Sequence, residues 1–153
     1  MTQPVPALPD QPPAAPATFD IKSKHDKFTA HFAWPEATAT VFAGVGHNRK
    51  RLWSIPVWSP VAYLGETGPT LAIGHPGSNL LPPDSTQDTI VVSFYRDGKK
   101  LRDVRLGEVI AREALHEING RLSWGVHYGF DDRGRYLIET QDGRTVALDP
   151  AGK

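Results

Sequence analysis

The chain of 153 residues carries 17 basic and 17 acidic side chains, 39% hydrophobic residues, 14 glycines, 14 prolines and no cysteine. That is the length of one ordinary domain with its own core. Zero net charge leaves no global field for a polyanion or an anionic bilayer, which sets constitutive nucleic-acid binding aside. Without cysteine there is no disulfide framework, thiolate metal site, iron–sulfur cluster or cysteine nucleophile.

Residues 1–18, MTQPVPALPDQPPAAPAT, hold six of the prolines and one charge, Asp10. Proline locks φ and lacks a donor, so the segment favours extended polyproline II over a place in a central sheet. Residues 1–20 are expected to form a flexible Pro/Ala-rich leader, 21–149 a single β-rich domain and 150–153 a tail. The leader lacks the basic region and apolar run of a signal peptide, and no stretch of about 18 apolar residues occurs that would span a membrane. Met1 has two readings: the start of an intracellular protein, or a start placed where an export signal was removed, in which case the compartment is the periplasm or envelope.

From Ile21 onward the dominant signal is period 2, broken by glycine, proline, asparagine or aspartate. In KFTAHFAWP, Phe28, Ala30, Phe32 and Trp34 share a face until Pro35 ends the run, and Trp34 is expected in the core with Trp124. In 37–44, Thr38, Thr40 and Phe42 lie opposite Ala39 and Val41. Strands follow at 50–58, 61–65 and 70–74, separated by Ser59-Pro60 and Glu66-Thr67-Gly68-Pro69. HPGSNLLPPDSTQ (75–87) reads as a long loop and a candidate for function. Asp97-Gly98 joins strands 88–95 and 100–106 as a hairpin. Residues 106–120 carry a helical stripe of Val109, Ile110, Ala114, Leu115 and Ile118, with Asn119-Gly120 as its C-cap. Strands at 121–128, 135–140 and 144–149 close the chain, the first placing Leu122, Trp124, Val126 and Tyr128 on one face. The expected fold is all-β: about ten short antiparallel strands in a sandwich or partly open barrel, with one short helix. A closed propeller is rejected, because the ordered length supplies about three blades where closure needs four or more.

Local catalytic signatures are absent: there is no G-x-S-x-G, P-loop, H-E-x-x-H or complete dinucleotide fingerprint, and Gly44-Val45-Gly46-His47 lacks the third glycine. The six histidines (25, 31, 47, 75, 116 and 127) show no metal-ligand spacing; a site would have to be assembled in space, for example from His31 and His127 if their strands paired. No metal and no cofactor are expected. Ser123 and His127, four apart on a strand, lie about 13 Å apart and form no dyad. His47-Asn48-Arg49-Lys50-Arg51 is the one dense basic run, read either as an anion contact or as charges guarding an edge strand. Trp53 and Trp58 sit beside it across Pro56, with parities that place them on opposite faces of a continuous strand. Strands 50–56, 61–65 and 70–74, laid side by side, would bring this run to the loop 75–87. The candidate binding residues are therefore Arg49, Lys50, Arg51, Trp53, Trp58, His75 and Asn79.

Across residues 50–149 the chain resembles a loose group of uncharacterised small bacterial proteins, often exported. Their pattern is a Trp-bearing strand, an apolar strand ending at glycine, an Asn-Leu-Leu-Pro loop, an F-Y-x-x-G hairpin and a final T-x-D-G-R hairpin. The matching positions are Trp58, Ala62, Tyr63, Leu64, Gly74, Asn79, Leu80, Leu81, Pro82, Phe94, Tyr95, Gly98, Leu106, Trp124, Thr140, Asp142, Gly143 and Arg144. The group's Thr/Ser-x-Ser-His-x-x-Trp run is replaced here by Asn119-Gly120-Arg121-Leu122-Ser123-Trp124, so no role for that histidine transfers. The resemblance implies a β-rich bacterial protein and carries over no activity in either direction.

The functional expectation is a non-enzymatic binding or interaction module, possibly in the bacterial envelope, whose partner is a protein or an anionic glycan. The alternatives are a small hydrolase-type enzyme with a spatially assembled site, and a subunit that pairs through a sheet edge in a larger assembly.

Overall fold

The computed structural model describes residues 16–75 and 80–152. Alternating apolar residues build the first sheet from β1 (Phe19–Lys22), β2 (Phe28–Ala33), β3 (Thr38–Ala43) and β4 (Lys50–Ile55), which pair antiparallel in chain order. Phe19, Ile21, Ala30, Phe32, Ala39, Val41 and Ile55 point inward and are buried. Asp20, His31, Thr40 and Ser54 occupy the outer face, where Thr40 and Ser54 share a hydrogen bond of 2.8 Å.

The second sheet is formed by β5 (Ala62–Leu64), β6 (Leu71–Gly74), β8 (Ile90–Arg96) and β9 (Lys99–Arg105), with β7 (Leu80–Leu81) contributed elsewhere. Its register puts Ala62, Leu64, Leu71 and Ile73 into one core with the first sheet, while Ala72, Val92, Phe94 and Val104 enter another. That second core is closed by β12 (Gly125–Phe130), β13 (Tyr136–Thr140) and β14 (Thr145–Leu148) through Tyr136, Ile138 and Leu148. The helical turn α1 (Leu106–Val109) adds Leu106 and Val109. A small sheet of β10 (His116–Ile118), β11 (Arg121–Ser123) and β7 packs Leu81 and Leu122 at the side of this core. The result is a layered antiparallel sandwich, not a closed barrel.

Several elements differ from the sequence expectation for identifiable reasons. The helix over 106–120 shrinks to α1 and a 3-10 turn at Arg112–Ala114. Asn119 and Gly120 have φ of 51° and 76°, and these paired left-handed residues form the tight turn of the β10–β11 hairpin, not a helix cap. Residues 121–128 are two strands interrupted at Trp124, which is fully buried. The break reverses the facing, so Gly125 and His127 turn inward while Val126 and Tyr128 are exposed. The loop 75–87 contains β7, paired with β11; residues 76–79 lie outside the described residues. Trp34 is 42% exposed at the end of β2, in contrast to buried Trp124. Asp97 and Gly98, with φ of 53° and 76°, make the expected tight turn between β8 and β9.

The leader expectation for residues 1–15 falls outside the described residues. Its last part is built into the fold: Phe19 is buried and stacks on Phe32 with ring centroids 5.0 Å apart. The Ala17 carbonyl accepts from Trp58 Nε1 at 2.8 Å, and Thr18 Oγ1 accepts from the Trp34 amide at 2.9 Å.

Two measurements test this packing. A chain starting at Phe19 should melt below one starting at Pro16, because it loses two docked residues whose hydrogen bonds contribute about 1 kcal/mol each; equal midpoints in calorimetry would contradict the docking. Leu71→Ala, at a fully buried position, should cost about 2–5 kcal/mol in urea denaturation.

Candidate functional site

Several turns gather at one end of the sandwich and bond to one another. The β1–β2 turn meets the β5–β6 turn at Glu66: Ser23 Oγ donates to Glu66 Oε2 at 2.7 Å, the His25 amide donates to the same oxygen at 2.6 Å, and His25 Nδ1 lies 2.7 Å from Oε1. Ser23 Oγ also accepts from the Phe28 amide, so one buried serine links hairpin and glutamate. The β12–β13 turn joins through Lys24 Nζ, which donates to Asp132 at 3.0 Å. Desolvation opposes the charge on Glu66, but the hydrogen bonds from Ser23 and His25 outweigh it and bring the carboxyl down to about 2.

Between these turns lies a cleft of about 560 Å3. Lys22, Lys24, His25 and Lys27 come from β1 and its hairpin, Tyr63 to Thr67 from β5 and its turn, and Tyr128 to Asp132 from β12 and its turn. The aromatic side is continuous with the second core: Phe130 packs edge-on to Tyr136 at 5.3 Å, and Tyr63 does so at 5.9 Å. Gly129 makes this possible. It sits at a β-bulge with φ of 93°, and a Cβ there would come within 2.8 Å of the Tyr63 ring. Tyr128 presents a ring 56% exposed. Lys22 and Lys27 are exposed, and neither ammonium has an acidic partner among the described residues. Asp131 is committed to its own turn: it accepts from the Arg133 and Arg135 amides and pairs with Arg135 Nε at 2.9 Å. Desolvation pulls its acidity the other way, yet these bonds leave its carboxyl below the usual range.

The structure disperses the residues singled out from sequence. Strands β4 and β5 belong to different sheets, because Pro56 and Ser59-Pro60 carry the chain from one layer to the next; the side-by-side order that would join the basic run to loop 75–87 does not form. Arg49 donates to Asp20 at 3.1 Å and lies 4.0 Å over the Phe42 ring. Lys50 and Arg51 are exposed on β4, an edge strand carrying a bulge beside Phe42. Trp53 and Trp58 pack against the same core, not opposite faces, because β4 ends at Ile55 and the chain swings back. Trp58 lies 5.2 Å from Trp34 and edge-on to Phe19 at 6.1 Å. His75 Nε2 is 2.7 Å from Ser93 Oγ, which donates to Asp103 at 2.5 Å. Burial lowers the His75 pKa, with Asp103 opposing and Lys100 reinforcing the shift. Asn79 lies outside the described residues.

Spacing singles out His127 only as a possible metal partner of His31, and its place in the structure is different. It is buried inside the second core, its Nδ1 is 2.6 Å from the Tyr136 hydroxyl, and Nε2 has no hydrogen-bond partner among the described residues. Burial, reinforced by His75, pushes its pKa down to about 4. His31 and His127 do not share a strand pair, and among the described residues no three histidine, aspartate or glutamate side chains group in a way that could hold a metal ion. No described helix is long and apolar enough to cross a membrane. No protein-family model matches the chain, and neither a curated protein nor a solved structure does.

His127 gives a pH prediction. Its pKa is lower folded than unfolded, so its contribution is complete above the ordinary value of 6.5 and is lost as pH falls toward the folded value of about 4. Denaturation free energies should drop by up to about 3 kcal/mol across that window. His127→Gln, which keeps a partner for Tyr136 and does not titrate, should flatten the slope; an unchanged slope would contradict the assignment.

Proposed function

We propose that the protein is a non-enzymatic binding module that holds an anionic ligand in the cleft among the turns. One observation carries this reading: Lys22 and Lys27, exposed and without acidic partners among the described residues, share a hollow of about 560 Å3 with the exposed ring of Tyr128. A cleft of that size is typical of small-ligand sites, which run roughly from 300 to 1,000 Å3. Free ammonium groups supply attraction to a carboxylate, sulfate or phosphate, and the tyrosine supplies an amphipathic contact face with little side-chain entropy to lose.

The carboxylates beside the cleft argue for binding over hydrolysis. Glu66 and Asp131 are both held ionised by bonds to neighbouring turns, so neither is poised as a general acid. Elsewhere, Ser93 stands between His75 and Asp103, whereas a nucleophilic triad has histidine in the middle. Its fully buried hydroxyl has no room for a substrate. Pairing through the β4 edge is disfavoured by Lys50, Arg51 and the bulge, devices that blunt an exposed edge. A place in or near the bacterial envelope, where anionic glycans are available, rests on the resemblance described above.

The test is titration calorimetry of the full chain with a uronic-acid disaccharide. Lys27→Ala and Tyr128→Ala should each weaken binding by about five- to tenfold, or about 1 kcal/mol, with thermal midpoints nearly unchanged. Affinity indifferent to both substitutions would remove the cleft as the site.

A further inference from the structure

A second hollow lies on the outer face of the first sheet. Residues 44–49 fold back over β3 and enclose about 500 Å3 lined by Asp20, Lys22, Thr29, Phe42, His47 and Arg49, among others. Its charged wall is braced from below. Asp20 Oδ1 lies 2.6 Å from His31 Nδ1, while Oδ2 accepts from Arg49 Nη1 at 3.1 Å. The Arg49 guanidinium carbon lies over the Phe42 ring, 4.0 Å from its centroid. A guanidinium has five N–H donors in a rigid fork, so the bond to Asp20 and the contact with Phe42 hold the group in place while leaving further donors. Lys22, at the end of edge strand β1, lines both this hollow and the cleft.

We propose that the two hollows form one track for a linear anionic glycan, with Lys22 meeting the charged group between them. This rests on the binding function proposed for the cleft and extends it from a single subsite to a chain-length ligand. Each hollow alone is the size of a small-molecule site. A compact ligand would use one of them, whereas a ligand with repeating charge uses the cation they share. The track offers the separated cations Lys27 and Lys22, and then Arg49, whose charge is shared with Asp20. It also offers the Tyr128 ring for the apolar face of a sugar. A nucleic acid, with a charge on every phosphate, calls for a continuous basic surface; here Asp20 and Asp132 interrupt it and the whole chain has no net charge.

The experiment is titration calorimetry of the full chain with galacturonate disaccharide and octasaccharide. The octasaccharide should bind about tenfold tighter, because the second subsite is filled within one molecule. Lys22→Ala should weaken binding of both ligands and remove most of the octasaccharide's advantage over the disaccharide measured on the same variant, and Lys22→Arg should restore most of that advantage. A sulfated octasaccharide showing the same dependence on length and on Lys22 would support the track and make sulfate an accepted charge. Equal affinity for both lengths in the wild type, with Lys27→Ala still weakening both, would overturn the track and leave the cleft standing. No binding at either length would remove both. A poly-glutamate peptide of matched charge binding tighter than either glycan would overturn the glycan in favour of an acidic protein segment.

Discussion

Leu71, Ala72 and Ile73 are all buried although neighbouring residues of a strand face opposite ways, so β6 must be covered on both sides. A two-layer sandwich cannot satisfy that requirement. The first sheet takes Leu71 and Ile73, and the third sheet takes Ala72 together with Val92 and Phe94 of the neighbouring strand. At about 25 cal/mol for each Å2 of apolar surface removed from water, neither outer sheet could be peeled away without exposing one face of the middle sheet. The short strands of the outer layers depend on this arrangement, since small sheets are not stable without a packed face.

The layered core also explains why the cleft lies where it does. Three sheets stacked face to face bring turns from each layer to a common end, and the connections there are short. Glu66 fastens the first layer to the second, and Lys24 with Asp132 reaches the third. The exposed Lys24–Asp132 pair contributes little on its own. Glu66 is different, because it accepts two short bonds from a hairpin whose Ser23 is buried. The turns are thereby fixed while Lys22, Lys27 and Tyr128 stay exposed, a rigid frame presenting the side chains on which the proposed binding rests.

Much of this fold was legible in the chain. Period-2 alternation in 28–33 and 38–43 identified the inward face of the first sheet, and Asp97-Gly98 marked a hairpin because only a left-handed pair closes so tight a turn. Asn119-Gly120 carried the same signal and was outweighed by an apolar stripe of helical spacing, although the hairpin pairing prevails there. Alternation reads 121–128 as one strand, because periodicity cannot register the break at Trp124 that reverses Val126 and Tyr128. That reversal exposes Tyr128 to the cleft, so the site depended on a feature invisible to alternation. The lysines of the cleft were equally hidden: 22, 24 and 27 are spaced through a hairpin instead of forming a run, whereas the conspicuous basic run 47–51 enters an edge strand only at Lys50 and Arg51. The seam that carries the chain from β4 to β5 separates Trp53 from the strands expected beside it.

Native-state hydrogen exchange under increasing denaturant tests most directly whether β6 fuses the three layers into one cooperative unit. The account predicts that the amides of β2, β3, β6, β8 and β13 share one opening free energy, equal to that of global unfolding. Exchange of β12–β14 through a separate, lower-energy opening that leaves β2, β3 and β6 protected would contradict it.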